Sequence, residues 1–345
     1  MLAALSLGSE DWLQPLPPAP LVGFSYSPMT SQWMQRDPAN DLRLLLSATS
    51  PDLVRLPIYW DVTQPTPTSL DFSQIDQLLS VVALHNLQSS RPTAVILTIG
   101  ARNFLYPELH APSWAGPREQ PALGVAQSGA AYRTYFDATI VRYRSSSLLY
   151  SWQVENEPFD YVGNASTGDD LISASQLAWE IGEVHRLDPK HPAVVTSFDG
   201  WNAVVDWLQV NATGVLAALH GYPSGHPEAA LEASDVLGLD LYIDGPIAPL
   251  LRFTSIALRN EWKGEAVHFW AERALAENKQ TWLMEVQAQP WETSTSFTPA
   301  DLLASAADYR QEPVRVVLLW GVDTWLRDPV WMSAAVHALA ILREE

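Results

Sequence analysis

A single-domain α/β fold, the closed (β/α)8 or TIM barrel, is predicted for this chain by three observations. Eight short apolar runs recur along it, amphipathic stretches separate them, and no long linker breaks the series from residue 21 onward. Strand–helix alternation of this kind closes a parallel sheet on itself, and 345 residues are ample for a barrel that needs roughly 250. Residues 1–20 are expected to form an extended lead-in, Pro-rich from Gln14 to Pro20, and residues 21–345 the barrel domain.

The runs are rich in Val, Leu and Ile and bounded by Pro, Gly and Asp, as strands buried on both faces require. The first is Leu21–Ser25. It continues Tyr26-Ser27-Pro28 rather than into a Gly-rich nucleotide-binding turn, which weighs against an open doubly wound sheet. The second, Leu53–Tyr59, leads through Asp71 to a helix over Phe72–Leu87, with Ile75, Leu78, Leu79, Val82 and Leu84 at helical spacing. Thr93–Ile99 is the third, followed by a helix over Ala130–Tyr143. Leu148–Val154 is the fourth, followed by Asp170–Leu187, and Ala193–Phe198 is the fifth. Val236–Tyr242 precedes a helix over Gly264–Glu277. Thr281–Val286 precedes Pro299–Glu312, with Thr298 as N-cap, and Val314–Trp320 precedes a closing helix over Pro329–Arg343. The long segments Gly100–Gln127 and Gly200–Ser234 are expected to shape a cleft.

Composition narrows the partners. The formal charge is −19, from 20 basic and 39 acidic residues, which excludes a nucleic-acid surface and disfavours anionic membranes and polyanionic sugars. A neutral oligosaccharide or polysaccharide substrate is favoured. No Cys is present, so disulfides, thiolate metal sites and Cys nucleophiles are absent. The His residues are dispersed without metal-ligand spacing, so no metal and no cofactor is expected. No apolar run approaches the length of a membrane span, and Met1–Leu7 is a poor secretory signal. The chain reads as soluble, with extracellular and cytoplasmic locations and the oligomeric state left open. Of the fifteen Trp, about two-thirds are expected to be packing residues, and exposed indoles among the rest make flat platforms for sugar rings.

Barrel active sites form at the C-terminal strand ends. The fourth run ends Gln153-Val154-Glu155-Asn156-Glu157-Pro158, and the seventh carries Glu285 inside Trp282-Leu283-Met284-Glu285-Val286. An acid inside an apolar strand costs several kcal/mol unless it is paired or used. A buried ion pair with Arg55 is one explanation for it. Glycoside hydrolysis, in which one carboxyl donates a proton and the other attacks, is the second.

Asn156-Glu157-Pro158 after strand four, with a glutamate on strand seven, resembles the clan A glycoside hydrolases, nearest to family 5; Gln153–Glu157 is also similar to the family 35 segment, and a 35/42-like sister family stays open. The resemblance covers almost the whole chain. It implies a retaining mechanism with Glu157 as acid/base and Glu285 as nucleophile. It also implies that Arg55 and Tyr242 bind the nucleophile, that Asn156 binds the sugar 2-hydroxyl, and that Trp320 floors the subsite of the attacked sugar. Family 5 enzymes commonly have a His after strand three and another two residues before the strand-six Tyr. Here those places hold the Gly100–Asn103 segment and Asp240. Trp60, Trp114 and Trp201, with Trp291 and Trp325, lie near strand-end loops and are further sugar-platform candidates. The activity expected is hydrolysis of β-linked neutral sugars, of endo-β-glucanase or β-mannanase type. An exo-β-glycosidase such as a β-galactosidase and a non-catalytic carbohydrate-binding barrel are the alternatives.

Overall fold

A computed structural model of the chain describes residues 15–116, 129–159, 172–198, 207, 227–244, 254–291 and 296–344. Eight parallel strands close in sequence order: β1 Leu21–Ser25, β2 Leu53–Pro57, β3 Ala94–Ile99, β4 Leu149–Val154, β5 Ala193–Phe198, β6 Val236–Leu241, β7 Gln280–Gln287 and β8 Val316–Trp320, with β8 paired to β1. Every predicted strand is present, with its ends shifted by no more than two residues. The helices Ala130–Tyr143 and Pro329–Arg343 match the sequence reading, and Thr298 caps Pro299–Tyr309 in a reciprocal capping box with Asp301.

Helices that the periodicity did not mark are Pro28–Trp33, Pro38–Thr49, Trp60–Thr63, Pro227–Ala233 and Val322–Arg327, and the helix before β7 starts at Ile256 rather than Gly264. The start signals of the first two were nevertheless in the sequence. Ser27 and Asp37 each cap a helix whose first residue is Pro, where a missing N–H costs nothing. Among the described residues no helix is long and apolar enough to cross a membrane.

Two apolar layers hold the barrel. Its lumen is filled by Leu53, Ile96, Val194, Val236, Trp282, Met284, Val316 and Leu318. The larger layer, between strands and helices, includes Val22, Phe24, Val54, Val95, Trp152 and Leu237. Strand alternation should keep the two sets apart, odd residues inward and even outward or the reverse. Two strands break the alternation. In β7 the register passes from Leu239↔Leu283 to Asp240↔Glu285, and against β8 from Leu283↔Val317 to Val286↔Leu319, so one extra residue sits in β7. The bulge lets Met284 and Glu285 both face the lumen, where regular parity would send Glu285 toward the helices. In β4 a shift from Val95↔Leu149 to Ile96↔Ser151 lets Tyr150 and Gln153 both point inward.

Gly238 accommodates the β7 bulge. A Cβ there would lie 2.8 Å from Thr196 Cγ2 and 2.9 Å from Met284 Cγ. Gly238→Ala is therefore expected to lower stability by about 1–3 kcal/mol through overpacking. Urea unfolding of the variant beside the wild type checks this, and coincident midpoints would contradict the packing.

Candidate active site

Of the two glutamates, Glu285 lies on the bulged strand β7 and Glu157 follows the bulged strand β4. Glu285, almost wholly buried, accepts from Arg55 Nη2 on one carboxylate oxygen and from the Tyr242 hydroxyl on the other. Arg55 comes from β2 on the same lumen face as Leu53 and is itself fully buried. Its Nη1 donates to Gln153 Oε1 at 3.0 Å, and its guanidinium carbon lies 4.0 Å from the Phe104 ring centroid and 5.9 Å from that of Trp320. A buried carboxylate is thus matched by a buried guanidinium held on three sides, the arrangement that offsets desolvation of both ions. Burial, followed by the charge of Glu285, pushes the Tyr242 phenol well above its ordinary value, so it stays a hydrogen-bond donor.

Glu157 follows β4. One carboxylate oxygen each from Glu157, Asp240 and Glu285 lie within 4.8 Å of one another. The backbone N–H of Glu157 donates to Thr196 Oγ1 at 2.9 Å. Gln153 is the hub behind this segment: its amide donates to the Glu155 carbonyl and to Asn156 Oδ1, both at 3.0 Å. Glu155 and Glu157 have φ of +59° and +45°, left-handed values that cost a non-glycine residue about 1–3 kcal/mol. This left-handed backbone, rather than strand alternation, sends the side chains of the two acids in opposite directions.

Glu155 points away from the lumen, under the helix Ala130–Tyr143. Its carboxyl accepts from the Ala101 N–H at 3.0 Å, the Arg102 N–H at 2.5 Å and the Tyr132 hydroxyl at 3.0 Å. Gly100, at φ +131°, leaves the room: a Cβ there would meet that carboxyl at 2.4 Å. The Tyr132 hydroxyl, with one proton to give, lies between that carboxyl and Glu180 Oε1, 2.6 Å away, which also accepts from Gln176 Nε2 at 2.8 Å. Burial raises both acids, Glu180 well above the carboxylate range, with the charge of Glu155 adding to the effect. This pair locks the β3 and β4 ends to two helices and leaves Glu157 as the acid facing Glu285.

The remaining candidates separate. Asn156 is buried beside Glu157, with its Oδ1 turned to Gln153. Trp320 ends β8 half-buried, edge-on to Phe104 with centroids 5.8 Å apart. Trp291 packs edge-on against Tyr242 at 5.3 Å, at the rim of the cluster. Trp60 is a correction. It is fully buried among Tyr132, Tyr135 and Trp114, and its indole N–H donates to Gln64 Oε1 at 2.7 Å, so it is a core residue and no sugar platform. Trp325 is likewise buried, with its N–H on the Ala288 carbonyl at 2.9 Å. Trp114 is half-buried and tied to the Gln64 carbonyl at 3.0 Å. Trp201 lies outside the described residues.

Sequence reasoning passed over Gln153, Thr196, Phe104 and Asp240 as members of the site. The first two were visible only as polar residues inside apolar strands. Among the described residues, Glu157, Asp240 and Glu285 are also the grouping that has the donor spacing for a metal ion.

No protein-family model matches this sequence, and no curated protein matches it. Solved structures do resemble it. A GH5_18 protein from Streptomyces cattleya in complex with Manβ1-4GlcNAc superposes with a TM-score of 0.61 at 16% identity, over 94% of this chain and 81% of that one. A GH5_18 protein from Bifidobacterium longum subsp. infantis gives 0.63 at 16%, over 95% and 80%. An exo-β-1,4-mannosidase from Opitutaceae bacterium strain TAV5 gives 0.57 at 15%, over 94% of this chain and 59% of that one. At such identities the likeness is one of barrel fold.

The Glu155–Glu180 pair yields a stability prediction. An acid raised by folding stabilises fully below its ordinary value, 4.5 here, and that contribution is lost as pH rises through the folded value. Glu180→Gln keeps an acceptor for Tyr132 and Gln176 and adds an N–H toward Glu155. The variant should match the wild type near pH ~5 and melt a few degrees higher near pH ~8. Equal melting temperatures at both pH values would show that the pair does not titrate as described.

Proposed function

We propose that this protein is a retaining glycoside hydrolase acting on β-linked neutral sugars. The observation that carries the reading is Glu285: a lumen carboxylate held by Arg55 and Tyr242, with a Glu157 oxygen within 4.8 Å. Retaining enzymes place their carboxyls about 5–5.5 Å apart, whereas inverting enzymes leave space for a water between them. The short approach of Glu157 to Glu285 favours the former.

In this reading a Glu285 oxygen attacks the anomeric carbon while the Glu157 proton passes to the leaving oxygen, and the glycosidic C–O bond breaks. A water then gives a proton to Glu157 and bonds to the anomeric carbon as the ester to Glu285 breaks. Arg55 and the Tyr242 hydroxyl hold the two Glu285 oxygens and aim the carboxyl at the anomeric carbon. Trp320 and Phe104 wall the position of the attacked sugar, and Asn156 reaches its 2-hydroxyl. The acidic charge of the chain suits a neutral substrate.

For the sugar, endo-β-glucanase or β-mannanase action follows from the clan resemblance. Of the similar structures that name a sugar, two are bound to Manβ1-4GlcNAc and one is an exo-β-1,4-mannosidase, beside two β-galactosidases and one complex with GlcNAc, and this balance supports β-mannosides. Short β-mannosides are therefore the first substrates, ahead of β-galactosides and β-glucans.

The test is turnover of 4-nitrophenyl β-mannoside, β-galactoside and β-glucoside, Manβ1-4GlcNAc, mannan and β-glucan by wild type, Glu157→Gln and Glu285→Gln. Both variants should lose about 10³-fold or more in kcat on a natural linkage. The first product seen by proton NMR should be the β anomer, and an α anomer would sink retention. Binding without turnover on every substrate would favour the non-catalytic barrel, and activity abolished by a chelator would favour a metal held by the three carboxylates.

A further inference from the structure

Asp240 takes no part in the mechanism above, yet it sits at its centre. It pairs across the sheet with Phe198 on one side and with Glu285 on the other, immediately after the bulge. It is wholly buried, and neither of its carboxyl oxygens receives an N–H or hydroxyl proton from any described residue. The groups facing it are Glu285 from β7, Arg55 from β2, Glu157 from the end of β4, Glu108 from the segment after β3, and Tyr242 two residues along. Both terminal nitrogens of Arg55 are directed to Gln153 and Glu285. One Asp240 carboxyl oxygen lies within 4.8 Å of an oxygen of Glu157 and of one of Glu285. Two carboxyls bond to each other only if one of them carries a proton, because a carboxylate has none to donate.

We propose that Asp240 is a positioning residue that shares a proton with Glu157, so that the acid/base keeps a proton available beside an ionised Glu285. The inference rests on reading Glu157 and Glu285 as the catalytic pair. Three carboxyls around one guanidinium balance when a single one is charged. In the free enzyme that charge is on Glu285, with Glu157 and Asp240 both protonated. Burial, and next the charge of Glu285, push Asp240 well above the carboxylate range, against opposing pulls from Arg55 and from the Glu157 carboxyl. When Glu285 forms its ester, it loses its charge as Glu157 gives up its proton. The cluster again holds one negative charge, now on Glu157, with the Asp240 O–H donating to it. If the pair loses one proton to solvent at high pH, the other lies between the two oxygens and still serves Glu157. The two acids thus titrate as one unit, and the last proton is hard to remove.

The experiment is the pH dependence of kcat/KM for wild type and Asp240→Asn on phenyl and 2,4-dinitrophenyl glycosides of the sugar the wild type turns over, with Glu157→Gln beside them. The phenyl leaving group needs protonation and the dinitrophenyl one does not, so the ratio of the two is independent of the fraction of enzyme folded. Asp240→Asn keeps the shape and can still donate a hydrogen bond, but it has no titratable proton to pass to Glu157. Its basic limb on the phenyl glycoside should move to lower pH by about one unit, a tenfold loss at alkaline pH, with the dinitrophenyl glycoside little affected there. Asp240→Ser, smaller and likewise without a proton that titrates in this range, should give the same displacement. A phenyl-to-dinitrophenyl ratio that follows the wild type at every pH in both variants overturns the proposal. A Glu157→Gln variant that loses no more on phenyl than on dinitrophenyl glycoside overturns instead the underlying assignment of the acid.

Discussion

The lumen of this barrel depends on one ion pair, Arg55 with Glu285. A carboxylate in the centre of a parallel sheet is tolerable only with a counter-charge at hydrogen-bond distance, and Arg55 is the guanidinium that reaches it. Much of the lumen polarity follows from that pair. Gln153 takes the second Arg55 nitrogen and also accepts from Thr98 at 3.3 Å. Its amide then orders Asn156 and, through Thr196, the backbone of Glu157. A chain of hydrogen bonds thus runs from the anchored ion on β7 to the acid on β4, and the distance between the two glutamates is set by side chains from β2, β4 and β5. Phe104 and Trp320 close the chain on the solvent side, where their ring faces add an attraction to the guanidinium that water would weaken.

The strands were legible in the sequence because a strand buried on both faces has to be a continuous apolar run, and eight such runs leave little latitude. The catalytic candidates were legible for the converse reason, since Arg55 and Glu285 interrupt such runs and demand an explanation. The bulges in β4 and β7 were not legible. A bulge adds one residue without altering composition, so counting along Trp282-Leu283-Met284-Glu285 gives a regular strand with Glu285 facing outward. The clue lay in a neighbouring strand, in the Gly238 whose missing Cβ leaves space for Met284. Sequence periodicity is read one strand at a time, and a register shift is a property of two.

Trp60 illustrates a different limit. A Trp just past a strand end sits where a barrel presents its substrate-binding loops, and position alone points it at the cleft. Here residues 60–63 turn at once into a short helix, which carries the indole into the layer between the barrel and the helix Ala130–Tyr143. Gln64, four residues on, satisfies its N–H. That pairing at i and i+4 was present in the sequence, and a Trp supplied with its own buried acceptor has no need of the rim. Trp320 differs because it is the last residue of a strand, with lumen parity shared by Val316 and Leu318, and so emerges at the mouth.

The segment Glu155-Asn156-Glu157 shows why two adjacent acids need not compete for one role. Left-handed backbone at both glutamates turns the first into the helix layer and the second into the lumen, and each meets another buried carboxyl: Glu180 outside, Asp240 inside. The environments differ in one respect that decides their use. Glu155 is saturated by two backbone N–H groups and a tyrosine, so its proton balance is fixed by structure and is closed to substrate. Asp240 receives no such donors among the described residues, and in the proposal above it answers burial by keeping a proton shared with Glu157. The same physical constraint, that a buried acid must be neutralised or paired, therefore produces a rigid clamp on one side of β4 and a mobile proton on the other. The strained backbone that separates them is held from both sides, by the carboxyl clamp at Glu155 and by Thr196 at Glu157, which is how a two-residue turn of unfavourable φ persists at the mouth of the barrel.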